Sequence, residues 1–477
     1  MKSLALLLDI GSTFTKALVC DMDSAKIVAR TQGRTTARED VMIGVLEAMS
    51  MLEEQGFPAD LDSSLYRERY ATSSAAGGLR MVVIGLTRGL TARAAREAAT
   101  GAGARVSGVF AGNIGRREVL EMVRLRPDII LFTGGIDGGN VDHVLNNARF
   151  LADMPARAPV VVACNRKASG RAAEILALGG FEVHLSENVM PGLDGLDVTP
   201  AREIIREVFM RHIVKAKGLG VLSSHLDMDV MPTPYAVMLA VEVLGQTEEA
   251  MAVDVGGATT DVYSHSFGHP CEDDLIPRGL SDPVLRRTVE GDLGVREGVR
   301  SLLDVSRLSV LRGVREIASD FGRDDLDEAI CLREVQTDYI PRDSLGERVE
   351  MELARACVDA ATRRHAGVVE TEDSPAGPVR YLRGKDLRRV KVLVGTGGAF
   401  LAAHRRGDSA DLLEAALYSN DESTRPLDPK MMVDPGYAMF AAGLLSLRHV
   451  EVSRGLLGEL ESVNVRDCED GKGATRG

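Results

Sequence analysis

The sequence predicts an α/β protein in which two similar β-hairpins lie in different parts of the chain. Each hairpin begins with a short apolar run and turns at an Asp-x-Gly segment, over residues 9–16 and 254–261. From residue 79 to 190, apolar strands alternate with helical stretches, which is typical of a mainly parallel sheet covered by helices on both faces. We therefore expect two hairpin-containing lobes and an additional doubly wound α/β unit in the N-terminal half.

Apolar periodicity gives the order of the elements along the chain. The opening pattern is β-β-β-α, and strands then alternate with helices up to residue 190. A later apolar helix leads into the second hairpin, and the charged stretch from there to Arg389 is expected to be mostly helical. The predicted strands outside the second hairpin are 4–9, 14–21, 26–31, 79–85, 104–110, 128–132, 160–163, 181–185 and 390–394, and the predicted helices are 40–55, 91–101, 115–125, 140–153, 167–178, 198–217 and 234–244.

These elements divide the chain into five parts. Residues 1–78 are the first part of lobe I, and residues 79–190 are the α/β unit within or attached to it. Residues 191–247 carry the interlobe helices, which we expect to act as a hinge. Residues 248–450 are lobe II, with a helical insertion at about 268–389, and the polar end, 451–477, is expected to be a flexible tail.

Composition excludes several classes of protein. The net charge of −13 over 477 residues argues against a general nucleic-acid surface, which needs clustered positive charge. No apolar run approaches the ~20 residues that a membrane-spanning helix requires. The cysteines are scattered without a CxxC pair, which favours free thiols in a reducing, cytoplasmic location; they are Cys20, Cys164, Cys271, Cys331, Cys357 and Cys468.

The two Asp-x-Gly hairpins have the residue types of a phosphate site. Glycine lets the backbone approach a ligand closely, and successive N–H groups in a tight turn bind anions. An aspartate beside such a turn fits a Mg²⁺ ion that bridges carboxylate and phosphate and keeps several waters. Asp9 and Asp254 are therefore the candidate catalytic residues and magnesium ligands, mostly through water. Which of the two orients the attacking water stays open.

The remaining hairpin candidates would contact phosphate through backbone N–H groups or hydroxyls. Thr13, Thr259 and Thr260 could instead serve only as good strand formers, and Lys16 could extend to solvent rather than to phosphate. The candidates are Gly11, Ser12, Thr13, Thr15 and Lys16 in the first hairpin and Gly256, Gly257, Ala258, Thr259, Thr260 and Asp261 in the second.

Two further glycine-rich turns follow apolar strands. Gly395, Thr396, Gly397 and Gly398 form a turn that suits contact with an adenosine, although a tight strand-to-helix connection alone would also need glycine. The segment Thr133–Asn140 lies where a doubly wound sheet binds ligands. A structural turn, a partner contact and a second small-ligand site all remain open for it.

The order of these segments resembles the superfamily of actin, sugar kinases and heat-shock chaperone ATPases. Asp254, Gly256, Gly257, Thr259 and Asp261 match its Asp-x-Gly-Gly-x-Thr-x-Asp element, and residues 9–13 resemble its first Asp-x-Gly-Ser/Thr element. Residues 394–400 resemble the adenosine turn, and residues 434–443 the closing interlobe helix. The resemblance implies two actin-like, ribonuclease H-like ATPase lobes around a cleft that binds ATP or ADP with Mg²⁺.

Within that superfamily the chain resembles the glutamate mutase accessory family, called MutL or GlmL, over residues 4–450. The supporting stretches are 79–86, 128–140, 187–191 and 232–235. The resemblance implies a magnesium-dependent ATPase that reactivates an adenosylcobalamin-dependent mutase or aminomutase in a chaperone-like way, releasing damaged cobalamin. The chain has no Asp-x-His-x-x-Gly motif, so we expect no bound cobalamin in this protein itself. A homodimer is compatible with the resemblance, which leaves the oligomeric state open.

Two other functions use the same fold. A small-molecule kinase would phosphorylate a sugar or an acid and would release ADP only when its acceptor is present. A nucleotide-regulated, actin-like assembly protein would form filaments on addition of ATP. An activator of the iron–sulfur type is less favoured, because the scattered cysteines give no arrangement that would bridge a cluster.

Overall fold

The computed structural model describes residues 3–11, 14–36, 39–74, 79–99, 104–155, 157–192, 195–213, 218–279, 282–296, 298–337, 339–375, 377–419 and 421–463. The chain forms two compact units. Unit 1 comprises Met1–Ala240 and Phe440–Leu456, and unit 2 comprises Val241–Met439 and Leu457–Gly477.

Unit 1 begins with a five-stranded mixed sheet. Its strands are β1 (Leu4–Ile10), β2 (Phe14–Asp21), β3 (Lys26–Arg34), β4 (Tyr66–Ser73) and β10 (Met231–Pro232). The spatial order is β3-β2-β1-β4-β10, in which β2 pairs antiparallel with β1 and β3, while β4 pairs parallel with β1 and β10. Helix α1 (Val41–Glu54) starts at Asp40, whose side chain accepts the Met42 N–H, and buries one apolar face in the core.

A second, fully parallel sheet follows in unit 1. Its strands are β5 (Leu79–Gly85), β6 (Ala104–Ala111), β7 (Ile129–Phe132), β8 (Val160–Val162) and β9 (Val183–Leu185), in the order β6-β5-β7-β8-β9. One face shares the core of the first sheet, and the other forms a separate apolar cluster. The helices are α2 (Arg88–Ala99), α3 (Arg116–Leu125), α4 (Val141–Ala152), α5 (Arg166–Leu178), α6 (Thr199–Ile213) and α7 (Leu219–Ser223). The doubly wound unit is therefore confirmed.

Unit 2 repeats the strand arrangement of the first sheet. Its strands are β11 (Ala250–Val255), β12 (Thr260–His265), β14 (Leu285–Glu290), β17 (Val392–Thr396), β18 (Lys430–Val433) and β19 (Glu461–Ser462). The order β14-β12-β11-β17-β18 has the same pattern of antiparallel and parallel pairs as β3-β2-β1-β4-β10, with β19 added at the edge. Two units built on the same sheet confirm the predicted fold class.

The rest of unit 2 contains a helical block and a small sheet. The helices are α9 (Val299–Arg315), α10 (Arg323–Val335), α11 (Ser344–His365), α12 (Gly398–Arg406) and α13 (Ser409–Glu414), and the small sheet is β13 (Leu275–Pro277), β16 (Gly377–Arg383) and β15 (Val368–Ser374). The prediction of a mostly helical stretch up to Arg389 is therefore wrong for β13 to β16. In the small sheet, charged residues such as Glu372 of β15 form ion pairs with neighbours such as Arg278, which directly follows β13, in place of an apolar pattern.

Three helices contain the points at which the chain passes between the units: α8 (Thr233–Gly245), α14 (Ala438–Ser446) and α15 (Val450–Leu457). In unit 1, Gly443 of α14 packs directly on α8, because a side chain there would come within 1.8 Å of the Ala236 carbonyl oxygen. The expectation of a flexible tail from residue 451 is wrong for α15 and β19. Residues 464–477 lie outside the described part of the chain.

Candidate functional site

The first hairpin ends β1 and begins β2 with a tight turn. Asp9 pairs with Lys16 and Ile10 with Thr15, and the Gly11 N–H donates to the Phe14 carbonyl at 3.0 Å. A side chain at Gly11 would lie 2.6 Å from that carbonyl oxygen, so the turn needs glycine. Two candidates of the sequence analysis, Ser12 and Thr13, lie outside the described residues.

The second hairpin is closed in the same way. Asp254 pairs with Asp261 and Val255 with Thr260, and the Gly256 N–H donates to the Thr259 carbonyl at 2.9 Å. At the tip, the predicted contact residues Gly257 and Ala258 are exposed, while Gly256 and Thr259 are partly exposed. The two turns thus occupy equivalent positions in two equivalent sheets.

Asp9 is buried and held by three donors. The Lys16 ammonium donates to Oδ2 at 2.9 Å, and the hydroxyls of Thr72 and Thr233 donate to Oδ1 at 2.9 and 2.7 Å. Lys16 therefore forms an ion pair with Asp9, an arrangement that differs from both alternatives considered from the sequence. The carboxylate is charge-compensated and fixed in position by this set of bonds.

Two of the predicted hydroxyl ligands form internal hydrogen bonds. Thr15 and Thr260 occupy equivalent positions after the two turns, and both are fully buried. The Thr15 hydroxyl bonds to that of Thr35 at 3.1 Å, and the Thr260 hydroxyl donates to the Leu293 carbonyl at 2.7 Å. These contacts secure the hairpins in their sheets.

Asp261 lies next to Thr260 in a buried ion pair. Arg287 of β14 donates to its carboxylate at 3.0 Å, and the guanidinium also lies 5.7 Å from the centre of the Tyr263 ring. Burial raises the pKa of Asp261, and the charge of Arg287 opposes that shift. The position opposite Asp254 is therefore acidic, whereas the position opposite Asp9 is basic.

The turn from Gly395 to Gly398 packs against the second hairpin. Strand β17 runs parallel to β11, which sets Thr396 beside Asp254. Gly397 has a φ of 92°, and a side chain there would come within 2.2 Å of the Asp254 carboxylate. Gly398 begins α12 and has no atom within 4 Å of the position a side chain would take. Two predicted parts of the site are thus in direct contact within unit 2.

Asp434 joins this turn to the start of α14. Its N–H donates to the Gly395 carbonyl at 3.0 Å, and its carboxylate accepts the Thr396 hydroxyl at 3.4 Å. The same carboxylate accepts the N–H groups of Ala438 and Met439 at 2.7 and 3.0 Å, as a helix cap does. Sequence reasoning missed Asp434 as a site residue, although an aspartate after a strand and before Pro-Gly is a capping signal.

The Thr133–Asn140 segment is a loop at the carboxyl end of the parallel sheet. The side chain of Asn165 accepts the Gly138 N–H and donates to the Gly139 carbonyl, and that of Asn188 donates to the Gly135 carbonyl and to Asp137. A cavity of about 620 Å³ lies beside it, with Arg166, Ser186 and Glu203 among its lining residues. These hydrogen bonds explain the loop as a structural turn. They do not distinguish between the other two roles considered for it, a partner contact and a second small-ligand site.

Among the described residues, no group of three or more His, Cys, Asp or Glu side chains is arranged to hold a metal ion. A Mg²⁺ ion that keeps most of its waters needs only one or two carboxylates, so Asp9 and Asp254 have the right donor chemistry. The absence of a side chain at Gly397 lets the turn lie directly against the Asp254 carboxylate, since a Cβ there would be 2.2 Å from it. In the described part of the chain, no helix is sufficiently long and apolar to span a membrane.

A model of the MutL protein family matches residues 5–460. The chain belongs to the MutL family. It is 38% identical over 452 residues to the Protein MutL of Clostridium tetanomorphum, covering 92% of this chain and 95% of that one. The MutL family resemblance inferred from the sequence is thereby confirmed.

Comparison with solved structures gives more distant similarities to this MutL-family chain. Component A of (R)-2-hydroxyglutaryl-CoA dehydratase from Acidaminococcus fermentans is 11% identical, with a TM-score of 0.33, and the match covers 94% of this chain and 99% of that one. Gluconate kinase from Lactobacillus acidophilus is 10% identical, with a TM-score of 0.33 and coverage of 97% and 93%. Nucleotide-free acetone carboxylase is 12% identical, with a TM-score of 0.40 and coverage of 94% and 70%.

Proposed function

We propose that this MutL-family chain is a magnesium-dependent ATPase that acts as an accessory protein of an adenosylcobalamin-dependent mutase or aminomutase, such as glutamate mutase. ATP binding and hydrolysis drive a motion that loosens the partner enzyme and releases damaged cobalamin. The observation that carries the nucleotide assignment is the pair of equivalent turns, each closed by a glycine N–H beside an aspartate. Family membership supports the mutase assignment.

In this proposal both hairpins bind phosphate. The exposed backbone of Gly257 and Ala258 offers N–H groups, and Thr259 adds a hydroxyl. Ser12 and Thr13 have the corresponding role in the first hairpin, by the equivalence of the two turns. Gly397 and Gly398 contact the adenosine, since a side chain at either position would take up space beside Asp254 or at the start of α12.

Asp9 and Asp254 would hold Mg²⁺, mostly through water. When bound, the cation neutralises the charge that develops on the phosphates. The three donors to Asp9 hold its carboxylate in one orientation, as a group that positions a water molecule requires. The proposal includes a cytoplasmic location, in agreement with the free thiols among the described cysteines.

The nucleotide assignment is tested by measuring ATP hydrolysis of Asp254→Asn and Asp9→Asn. Loss of either carboxylate charge should lower the rate by about 100-fold or more, because a group that stabilises transition-state charge is typically of that importance. Asp428→Asn, which alters an exposed aspartate of unit 2, serves as the matched control and should keep the wild-type rate. Near-normal rates in both site variants would refute the assignment.

The accessory role is tested separately with a mutase inactivated by damaged cobalamin. Addition of the protein with ATP and Mg²⁺ should restore turnover in the presence of fresh cofactor, and a non-hydrolysable ATP analogue should not. ATPase activity that leaves the mutase inactive would contradict the accessory role. ADP release that depends on a small-molecule acceptor would instead favour a kinase, and filaments formed on ATP addition an assembly protein.

A further inference from the structure

The segment after β14 is hydrogen-bonded to the turn of the second hairpin. The Val295 N–H donates to the Gly256 carbonyl at 3.3 Å, and the Arg296 N–H donates to the Gly257 carbonyl at 2.8 Å. The stem of Arg296 also packs on the turn, because its Cγ lies 3.5 Å from the position that a side chain at Gly257 would take. Arg296 therefore contacts the turn through both its backbone N–H and its side-chain stem.

The guanidinium of Arg296 points to the helical block. It donates to the Glu350 carboxylate at 2.5 Å and to the Tyr339 carbonyl at 2.8 Å. Glu350 belongs to α11, and Tyr339 lies in the loop between α10 and α11. Arg296 thus connects the hairpin turn to α11 and to the loop before it, both of which come more than forty residues later in the chain.

A second arginine, which is buried, extends the connection. Arg333 of α10 is almost fully buried and donates to the other oxygen of Glu350 at 2.9 Å. It also donates to the carbonyls of Ala329 and Gly346, at 2.9 and 3.0 Å. The Arg296-Glu350-Arg333 triad is mostly removed from solvent, with Arg296 partly buried, and its formal charges sum to +1, which favours a nearby anion.

The triad is not fully satisfied. The Nε–H of Arg296 is buried and has no hydrogen-bond partner among the described residues. An unpaired buried donor of a charged group is costly, so a change at the turn that gives it a partner would be favourable. The hydrogen bonds that Arg296 donates are therefore expected to change when a ligand binds at the hairpin.

We infer that Arg296 is a positioning residue of the nucleotide site and that it transmits the state of the Gly256-Gly257 turn to the loop between α10 and α11. This inference rests on the proposed nucleotide-binding function. Phosphate bound at the turn shifts the guanidinium of Arg296. The Tyr339 carbonyl, which accepts a hydrogen bond from that guanidinium, moves with it. Val335 directly precedes the responding loop and Ile340 lies within it, and their side chains are 77% and 73% exposed, so movement of the loop alters an apolar surface.

The test uses the full chain with Mg·ADP as the probe and measures affinity together with backbone hydrogen exchange. In the wild type, ADP should slow or speed exchange in residues 336–347. R296Q loses the charged hydrogen bond to Glu350 that fixes the side chain packed on the turn, so it should weaken ADP binding by about 10-fold and abolish the exchange response. Arg300→Gln serves as the matched control, because Arg300 lies on the same block in an exposed pair with Glu334.

Arg296→Lys separates affinity from transmission. Lysine keeps the charge but cannot donate to Glu350 and Tyr339 in the same forked geometry, so ADP binding should be largely retained while the exchange response is lost. If R296Q fails to fold, Arg296→Lys still tests whether Arg296 transmits the state of the turn to the loop. Wild-type protein that binds ADP without an exchange response in residues 336–347 would overturn the inference alone. Absence of ADP binding by the wild type would overturn the proposed function and the inference with it.

Discussion

Single residues in the turns determine how closely the backbone segments of the candidate site pack. Gly397 is the clearest case, because it combines a positive φ with close contact to the Asp254 carboxylate. Gly398, the next residue, has open space around it. Steric contact excludes a side chain at Gly397 but not at Gly398. An added methyl group should therefore change the free energy of unfolding at the first position and not at the second.

Gly397→Ala should lower the free energy of unfolding by about 1–3 kcal/mol, because alanine is strained at positive φ and its Cβ would press on Asp254. Gly398→Ala should leave stability unchanged, since no atom lies near the added methyl group. Denaturant unfolding of both variants checks this pair. Equal stability of the two would contradict the geometric argument, and weaker ADP binding by stable Gly398→Ala would support the adenosine contact.

His365 gives stability a defined dependence on pH. It is fully buried between Ser264 and Thr288, each 2.9 Å away, and burial, aided by the charges of Arg286 and Lys385, holds its pKa well below the usual 6.5. The unfolded chain binds a proton below about pH 6.5 that the folded chain does not, so stability falls as the pH drops through that value. The loss should approach about 1.4 kcal/mol per pH unit.

Urea unfolding at pH 7.5 and 5.5 measures the contribution of this histidine. His365→Gln should show a smaller loss of stability between the two pH values, because glutamine takes up no proton. His225→Gln, which changes a partly exposed histidine paired with Asp62, should retain the wild-type difference. An unchanged pH dependence in His365→Gln would exclude a role for its titration.

At the scale of elements, the contact between α8 and α14 leaves no room for a side chain at Gly443. A methyl group there would lie 1.8 Å from the Ala236 carbonyl oxygen, so Gly443→Ala must push the helices apart. We expect a loss of about 2–4 kcal/mol, as for other overpacked core positions with backbone displacement. Chemical denaturation checks this value.

Gly170→Ala is the matched control for that substitution. Gly170 lies inside α5 with no atom near the added methyl group, so alanine should raise stability by up to about 1 kcal/mol through its better helix propensity. Wild-type stability in Gly443→Ala would show that the two helices are not held at this distance in solution.

Sequence patterns predicted the elements with strong apolar periodicity and missed those without it. Strand β2 was predicted with its observed bounds, and the ends of α4 differ from the prediction by one residue. Strand β4 was missed because Arg67, Glu68 and Arg69 interrupt its apolar pattern, although the strand pairs with β1. Pairing with the neighbouring strands, more than its own composition, makes this segment a strand.

Residues of the candidate site were likewise predicted where the signal is local in sequence and missed where it is not. The hairpin turns were predicted because their residues are consecutive in sequence. Thr72 and Thr233 were missed as partners of Asp9, because they are 63 and 224 residues away. Thr72 reaches Asp9 through the pairing of β4 with β1, and Thr233 follows β10, which pairs with β4. The Arg296 connection was missed for the same reason, since nothing local marks Glu350 as its partner.

At the scale of the whole molecule, ligand binding should raise stability by mass action. Mg·ADP at 100 times its dissociation constant should add about 2.7 kcal/mol to the free energy of unfolding of the cooperative unit that binds it. Chelation of Mg²⁺ by EDTA should remove most of this gain, because the proposed contact of Asp9 and Asp254 with the phosphates passes through the metal. Thermal denaturation with and without ADP measures the gain, and an EDTA-insensitive shift would exclude the magnesium bridge.

The repeated sheet order allows equivalent positions of the two units to be compared directly. At the same register the first hairpin has Lys16 opposite its aspartate and the second has Asp261, which is compensated by Arg287. Exchanging these two residues would remove the ion pair of Asp9 with Lys16 in one unit and leave Arg287 beside a lysine in the other. The two hairpins thus share a backbone but are not interchangeable parts, because each depends on its own arrangement of charges.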